Sequence, residues 1–412
     1  MDDTELFSKL LGLTAPWRVT RVSVNVPAER IDVWVEELPG TTFPCAGCAG
    51  PVPVYDHTPE QQWRHLDTCQ CRTYVHARLP RTSCPTDGVR QVPAPWAEPR
   101  SQFTRGFECQ MIDALKECDV TGAMRLLGTS WDPTWGVMAR AVARGLARKA
   151  KRVPVQIGVD EKAVGKGQSY ESLVVDLDQG TVEYVVDERT QASLERYYRQ
   201  FTQEELQGIE AIAMDMWDPY IAATKACVPD AERKIVFDRY HATTQVTKAL
   251  DKVRRQEHKA LAQTGDLRLQ GTRYLWLWNE ENVPPWRREE FAGVKHAELK
   301  TSRAWAIKEA LRPFWNYVYR KWAEKYFKAW YFWATHSRLE PIIEAAKTLK
   351  SHLANLLTYF KHRITNATTE GINSKIQTLK LMACGYRNRE HYKTAIYFHC
   401  GGLDLYPRPQ VT

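Results

Sequence analysis

Val153-Pro-Val-Gln-Ile-Gly-Val-Asp-Glu-Lys-Ala-Val164 decides the fold, because an apolar strand pattern runs directly into a pair of carboxylates. Val155, Ile157 and Val159 alternate with small or polar neighbours, which is the period of a strand, and the apolar run stops at Asp160-Glu161. Asp160 is therefore expected at a strand end. In sheets with parallel strands, ligands gather outside such carboxyl ends, so an acid there is well placed for chemistry.

Outward from this stretch, residues 153–241 read as three strands, a helix, a strand, a helix and a last strand. Glu171–Leu177 and Thr181–Val186 flank the turn Asp178-Gln-Gly180, which predicts an antiparallel meander for the first three strands. A helix over about 191–207 follows. Ile209–Met214 is apolar enough for a central strand and ends on Asp215, and Lys234–Phe237 runs into Asp238-Arg-Tyr-His241. Three strands thus end on an acid. A purely structural sheet has no need of that repetition, which marks Asp160 and Asp215 as candidate functional residues.

The charge of the 412-residue chain is uneven around a net +8. Residues 1–99 carry −3, 100–152 carry +5, 153–241 carry −8 and 242–412 carry +14. An acidic block between basic ones suits a segment that holds metal cations while its neighbours hold phosphates. The length predicts two to four domains. The acidic start lacks the basic, then apolar, pattern of a secretory signal, and no apolar run approaches a membrane span. A cytoplasmic protein is expected, with its ten cysteines serving as buried thiols or metal ligands.

Near the N-terminus, residues 17–37 alternate in strand fashion and lead into Cys45-Ala-Gly-Cys48. Such a knuckle brings two thiolates to one tetrahedral zinc. The other ligands could come from Cys84-Pro-Thr-Asp87, from Cys69-Gln-Cys71 or from His65, and a strand pair is expected over Cys71–Leu79. Pro93, Pro95 and Pro99 mark an extended linker. Helices are then expected at about 104–117, 120–127 and 132–147, sizes that suit a helix-turn-helix, with Asp132 as N-cap and Pro133 at the first helical position of the third. In a major groove, Thr134 and Trp135 would lie near the leading end of that helix, while Arg140, Arg144 and Arg148 could track phosphates.

Residues 242–365 read as almost wholly helical. Trp305, Leu311, Trp315, Val318, Trp322, Tyr326, Trp330 and Trp333 follow helical spacing and are expected in the core. Trp276, Trp278 and Trp286 fall outside that stripe and could stack on extruded bases. In the last informative stretch, Asn366 or Thr368 can cap a helix that carries Glu370 in its first turn and Asn373 three residues on, on the same face.

Together, Cys45-x-x-Cys48, Trp63-Arg-His-Leu-Asp67, the helix-turn-helix, Gly158-Val-Asp160-Glu161, Met214-Asp215-Met-Trp217, Phe237-Asp238-Arg-Tyr-His241, Thr369-Glu370-Gly-Ile-Asn373 and Gly385-Tyr-Arg-Asn388 resemble the DDE transposases of bacterial insertion sequences, in particular the ISL-three group. The resemblance covers nearly the whole chain. It implies an α/β multidomain protein: a zinc-ribbon-like module over 1–99, a helix-turn-helix over 100–152, and a ribonuclease-H-like catalytic core over 153–241 and 366–412, interrupted by an all-helical insertion over 242–365. It also implies a catalytic triad of Asp160, Asp215 and Glu370, and a zinc set of Cys45, Cys48 and Cys84 with Asp87 where similar fingers carry histidine. Asp238 and His241 resemble a motif found in several transposase groups.

The chemistry explains why three carboxylates are wanted. Two Mg²⁺ or Mn²⁺ ions about 3.5–4 Å apart stabilise both the attacking and the leaving oxygen of an in-line phosphoryl displacement. Asp160 would bridge them, with Asp215 and Glu370 each completing one ion. The expected activity is binding of an element's terminal inverted repeats, cleavage at its ends and joining of the 3′-hydroxyls to target DNA. The expected partners are double-stranded DNA and a second copy of the chain. The rivals are a catalytically inactive DNA-binding regulator and a structure-specific nuclease with a similar core.

Overall fold

The computed structural model describes residues 2–45, 47–163, 170–364 and 367–408. Val164 and Asn366 lie outside them. The chain divides into two compact units, one comprising Met1–Ala150 with Thr378–Thr412 and the other Lys151–Gln377.

The first unit begins with α1 (Asp3–Leu10) and eight short strands: β1 (Trp17–Asn25), β2 (Arg30–Glu37), β3 (Thr42–Pro44), β4 (Pro51–His57), β5 (Gln61–Arg64), β6 (Arg72–Ala77), β7 (Pro80–Cys84) and β8 (Gly88–Gln91). They form two four-stranded sheets, ordered β1-β2-β6-β5 and β3-β4-β7-β8. The alternation over residues 17–37 becomes the β1–β2 hairpin, which buries Val19, Val33 and Val35. Trp96 packs edge-on against Trp17 and Trp63 in the same core. The strand pair expected over Cys71–Leu79 is instead one strand, β6, paired with β2 and β5. Its partners come from distant sequence, which local alternation cannot reveal.

Three helices follow, α2 (Arg105–Glu117), α3 (Val120–Leu127) and α4 (Trp131–Arg148), close to the expected bounds. Gly128 ends α3 at φ +60°, in the left-handed region where a side chain would be strained. The N-cap of α4 is Ser130 rather than Asp132, so Asp132 and Pro133 sit inside its first turn. Proline is tolerated there because first-turn N–H groups have no partner within the helix.

The second unit is built on β9 (Gln156–Ala163), β10 (Tyr170–Asp176), β11 (Thr181–Asp187), β12 (Ala211–Met214) and β13 (Ile235–Phe237), in the order β11-β10-β9-β12-β13. The first three form the expected antiparallel meander, and β12 and β13 run parallel to β9. Asp160 is not the last residue of β9, because pairing with β10 continues to Ala163. On the other edge pairing with β12 stops at Val159, so Asp160 sits at a strand end on that side only.

The remaining helices are α5 (Gln191–Tyr198), α6 (Gln203–Gln207), α7 (Asp218–Cys227), α8 (Ala231–Lys234), α9 (Arg239–Ala262), α10 (Arg273–Leu277), α11 (Arg288–Lys295), α12 (Lys300–Leu311), α13 (Arg320–Thr335), α14 (Glu340–Ser351), α15 (Leu353–Leu356), α16 (Tyr359–His362), α17 (Ala367–Met382) and α18 (Arg389–Cys400). The single helix expected over 191–207 is broken by a capping box in which Thr202 and Glu205 bond each other's backbone. Sheet and helices of the second unit share one continuous core that runs from Ile157 and Ile212 to Trp276, Trp305 and Trp330.

The tryptophans only partly follow expectation. Trp305, Trp315 and Trp330 are buried, but Val318, Trp322 and Trp333 are exposed. The inward face of α13 is Ala323, Phe327, Trp330 and Ala334, and Trp322 and Trp333 lie off it. Trp276, read as a possible stacking residue, is fully buried and donates its indole N–H to Thr272. Among the described residues no helix is long and apolar enough to cross a membrane.

Candidate active site and metal centre

Register is what gathers the acids. Met214 of β12 lies opposite both Val159 of β9 and Phe237 of β13, so Asp160, Asp215 and Asp238 each follow one residue beyond the same row. Ile157, Val159, Met214 and Phe237 are buried to 1% exposure or less and hold that row in place.

Asp160 is fixed through both oxygens. Oδ1 accepts the Glu161 amide at 2.7 Å, and Oδ2 accepts the Asn373 side-chain amide at 2.5 Å. Burial pushes its carboxyl up to about 6, helped by the negative charges of Asp215 and Glu161 and opposed by the Glu161 amide and His241. Asp215 accepts a hydrogen bond from His241 Nδ1 at 2.7 Å through Oδ2, while its buried Oδ1 has no partner among the described residues. Burial alone would depress the His241 imidazole, yet the bond to Asp215 and the nearby acids raise it. Asp238 is the N-cap of α9 and accepts the Tyr240 amide, which sets His241 one turn along and facing Asp215.

Glu370 lies exposed in the first turn of α17. That helix reaches the sheet through its next turn, where Asn373 bonds Asp160 and Lys162 Nζ donates to the Asn373 carbonyl at 3.1 Å. Gly158 makes the approach possible. A Cβ there would stand 2.3 Å from Thr369 Oγ1 and 2.8 Å from Leu177. Glu161, the second acid of the opening stretch, is turned to Arg189 at 2.8 Å, and Arg189 in turn lies over the rings of Tyr170 and Trp217. Neither Arg189 nor Lys162 stood out in the sequence, since a lone cation in a strand or loop carries no periodic signal. The donor set fits a hard divalent cation, because a buried, unpartnered carboxylate oxygen on Asp215 stands beside Asp160, a second acid whose carboxyl burial holds above its usual range.

In the first unit Cys45, Cys48, Cys84 and Asp87 bring one ligand atom each to within 4.8 Å of one another, the one such group among the described residues. Asp160, Asp215 and Glu370 are not drawn that close. Cys48 Sγ lies 3.6 Å from Cys84 Sγ, and Cys45 Sγ lies 3.2 Å from Asp87 Oδ2. Backbone N–H groups of Asp87 and Thr86 lower the pKa of the Cys84 thiol. Gly47 leaves room for the carboxylate, since a Cβ there would stand 2.4 Å from it. Three sulfurs and one oxygen about a common point suit tetrahedral zinc. The other sequence candidates are elsewhere: His65 bonds Thr104, and Cys69 and Cys71 lie outside the group. All ten cysteines are free of disulfides.

The residues expected to read DNA from α4 are placed differently. Thr134 is fully buried and bonds Thr129 and the Ser130 carbonyl, so it cannot reach a base edge. Trp135 is half-buried, stacked between Trp131 and His391. Arg140 pairs with the fully buried Glu108, and Arg144 donates twice to the Leu405 carbonyl. Arg148 bonds Asp404 and the Tyr406 carbonyl. The arginine stripe therefore binds the chain itself, Arg140 on α2 and Arg144 and Arg148 on the C-terminal segment. Its i, i+4 spacing is the same whether it faces solvent or protein.

These features define a class, a protein with a helix-turn-helix, a zinc-ligand cluster and acids at the ends of parallel strands. Comparison with known families gives the same order of parts. Residues 41–87 match the zinc finger of transposases IS204/IS1001/IS1096/IS1165, 92–142 match the helix-turn-helix domain of transposase family ISL3, and 157–396 match the transposase domain of that family. The chain belongs to the ISL3 transposases. Among curated proteins it is 26% identical over 371 residues to the transposase for insertion sequence element IS1557 of Mycobacterium tuberculosis, covering 84% of this chain and 82% of that one. It is also 24% identical over 353 residues to the transposase for IS1001 of Bordetella parapertussis, covering 84% and 86%.

Proposed function

We propose that this transposase binds the terminal inverted repeats of an insertion sequence, cleaves DNA at the element ends and joins the freed 3′-hydroxyls to target DNA. The register row that sets Asp160 and Asp215 side by side carries this proposal. Together with Glu370 they are the triad, and the strand order β11-β10-β9-β12-β13, antiparallel then parallel, supports a ribonuclease-H-like core. On this assignment the core spans 153–241 and 366–412, the helices of 242–365 are an insertion, and 1–99 and 100–152 are the zinc-finger and helix-turn-helix domains.

Two Mg²⁺ or Mn²⁺ ions, when bound, would stabilise the attacking and leaving oxygens of the phosphoryl transfer. The chain's residues prepare that site. Asn373 and the Glu161 amide orient the Asp160 carboxylate, and His241 holds one oxygen of Asp215 so that the other points free. Glu370, on the exposed first turn of α17, would be the third ligand. Synapsis of two ends calls for a homodimer.

The test is cleavage of a plasmid carrying the element with its flanks in Mg²⁺ or Mn²⁺, comparing wild type with Asp160→Ala, Asp215→Ala and Glu370→Ala. Boundary cuts by wild type alone, with end binding retained in all three variants, are expected. Specific binding without cutting by wild type would instead make the chain a regulator, and cutting without boundary preference a nuclease. A Glu370→Ala protein that nicks at the wild-type rate would remove Glu370 from the triad.

A further inference from the structure

The outer face of α13 alternates large aromatic rings with lysines. Tyr319, just before the helix, is 70% exposed, Trp322 57%, Phe332 63% and Trp333 41%, values unusual for rings of this size. Arg320, Lys321, Lys325 and Lys328 are exposed among them. Glu324 pairs with Lys328, but Lys321 and Lys325 have no carboxylate partner among the described residues. Lys325 instead lies 5.4 Å from the centroid of the Trp322 ring. Phe332 and His336 are stacked at 4.0 Å, so the row of flat faces continues past the helix end. Opposite this face, Ala323, Phe327, Trp330 and Ala334 are buried and anchor the helix in the core.

We propose that this face is a stacking platform for DNA strands whose bases have left the duplex. It rests on the chain's acting on DNA as a transposase, and names the form of DNA that one surface takes. Charge and chemistry select the occupant. Lysines match a phosphate backbone, and aromatic faces match unpaired bases, because an intact duplex offers its π-faces only to neighbouring bases. A protein partner or second copy fits less well, since the centres of protein interfaces are depleted in lysine. The position is also apt. The Arg363 guanidinium donates to the carbonyls of Tyr317 and Val318, each at 2.9 Å, tying the start of the platform to the chain a few residues before the Glu370 helix.

The experiment uses the full chain and three fluorescent DNAs: an intact duplex of the element end, the same duplex with unpaired thymidines at its tip, and single-stranded oligothymidine. Trp322→Ala and Phe332→Ala should each weaken binding to the unpaired and single-stranded DNAs by about 5- to 100-fold and leave the intact duplex within about twofold. Trp322→Tyr, which keeps a flat ring, should recover most of the loss, and Lys321→Glu with Lys325→Glu should lower the salt dependence of single-strand binding. Because these side chains are exposed, unchanged melting curves are expected to show that the variants fold. Equal affinities of wild type and Trp322→Ala for unpaired DNA, with duplex binding normal, would overturn the platform alone. Failure of wild type to bind any of the three would overturn the platform and the DNA-acting function together. Dissociation of an oligomer by Trp322→Ala, measured by sedimentation with DNA affinity unchanged, would make the face a contact between copies and overturn the proposal.

Discussion

Asn373 joins α17 to the sheet by a hydrogen bond, beside the packing of Thr369 on Gly158, and its role differs from that of a ligand. Its amide N–H₂ meets Asp160 while its buried carbonyl oxygen Oδ1 has no partner among the described residues. Asn373→Ala should leave end binding intact and reduce cleavage by roughly 10- to 100-fold, as loss of groups that orient metal ligands does. Asn373→Asp should be worse than Ala, because a third carboxylate then faces Asp160. Single-turnover cleavage of the two variants, titrated with Mn²⁺, checks the order, and equal rates would remove the electrostatic part. Asp160 also gives the metal-free protein a pH dependence. Its carboxyl is raised to about 6 in the fold against 3.8 when exposed, so the folded state holds the proton more tightly. That stabilisation is full below about pH 4 and is lost as pH rises through 6, by something on the order of 3 kcal/mol. Melting temperature should therefore fall across pH 5–7 without metal, and the rise on adding Mg²⁺ should be larger at pH 7.5 than at 5.5.

Among the elements, α17 and β9 fit because position 158 has no side chain. Gly158→Ala must move Thr369 or Leu177, and should cost about 1–3 kcal/mol and displace the glutamate helix. Denaturant melts together with cleavage rates check this. A stability loss with cleavage intact would show that the sheet, not α17, yields. Elements of this kind were the most legible in the sequence. The β1–β2 hairpin, the meander and α2 to α4 announced themselves by period, turn residues and caps, and the acids by ending three apolar runs. The directions in which helices face were not legible. α4 packs against α18, drawn from some 250 residues later, so Arg144 and Arg148 turned out to bond the chain's own end. α13 is aromatic nearly all round, and a helix with rings on several faces does not say which of them is inward. Asn373 was visible as three residues beyond Glu370 on one helix face, whereas its contact to Asp160 required the fold.

Across the whole molecule, the zinc-ligand cluster and the proposed site at Asp160 and Asp215 belong to different compact units and should fail independently. The Cys45, Cys48, Cys84 and Asp87 cluster joins a knuckle before β4 to the turn after β7, and among the described residues the buried core around it is Cys45, Val52 and Cys84. So small a core does not fold by apolar burial alone. Chelation should release one zinc per chain, measured by elemental analysis, and unfold the 41–87 segment while the melting of residues 151–377 is retained. Asp87→Cys should keep the zinc and slow its loss to a chelator; Asp87→Ala should shed it.

The hydrogen bond from Asn373 to Asp160 joins residues 213 positions apart. At a synthesis rate of about 5–20 residues per second, roughly 10–40 seconds pass between the emergence of Asp160 and that of the helix that completes its setting. The helix-turn-helix, over residues 92–142, has by then already left the ribosome. The face of α4 that packs on α18 and Leu405 nonetheless stays uncovered until the last residues emerge, so a chain cut short before α17 lacks the partners of both elements.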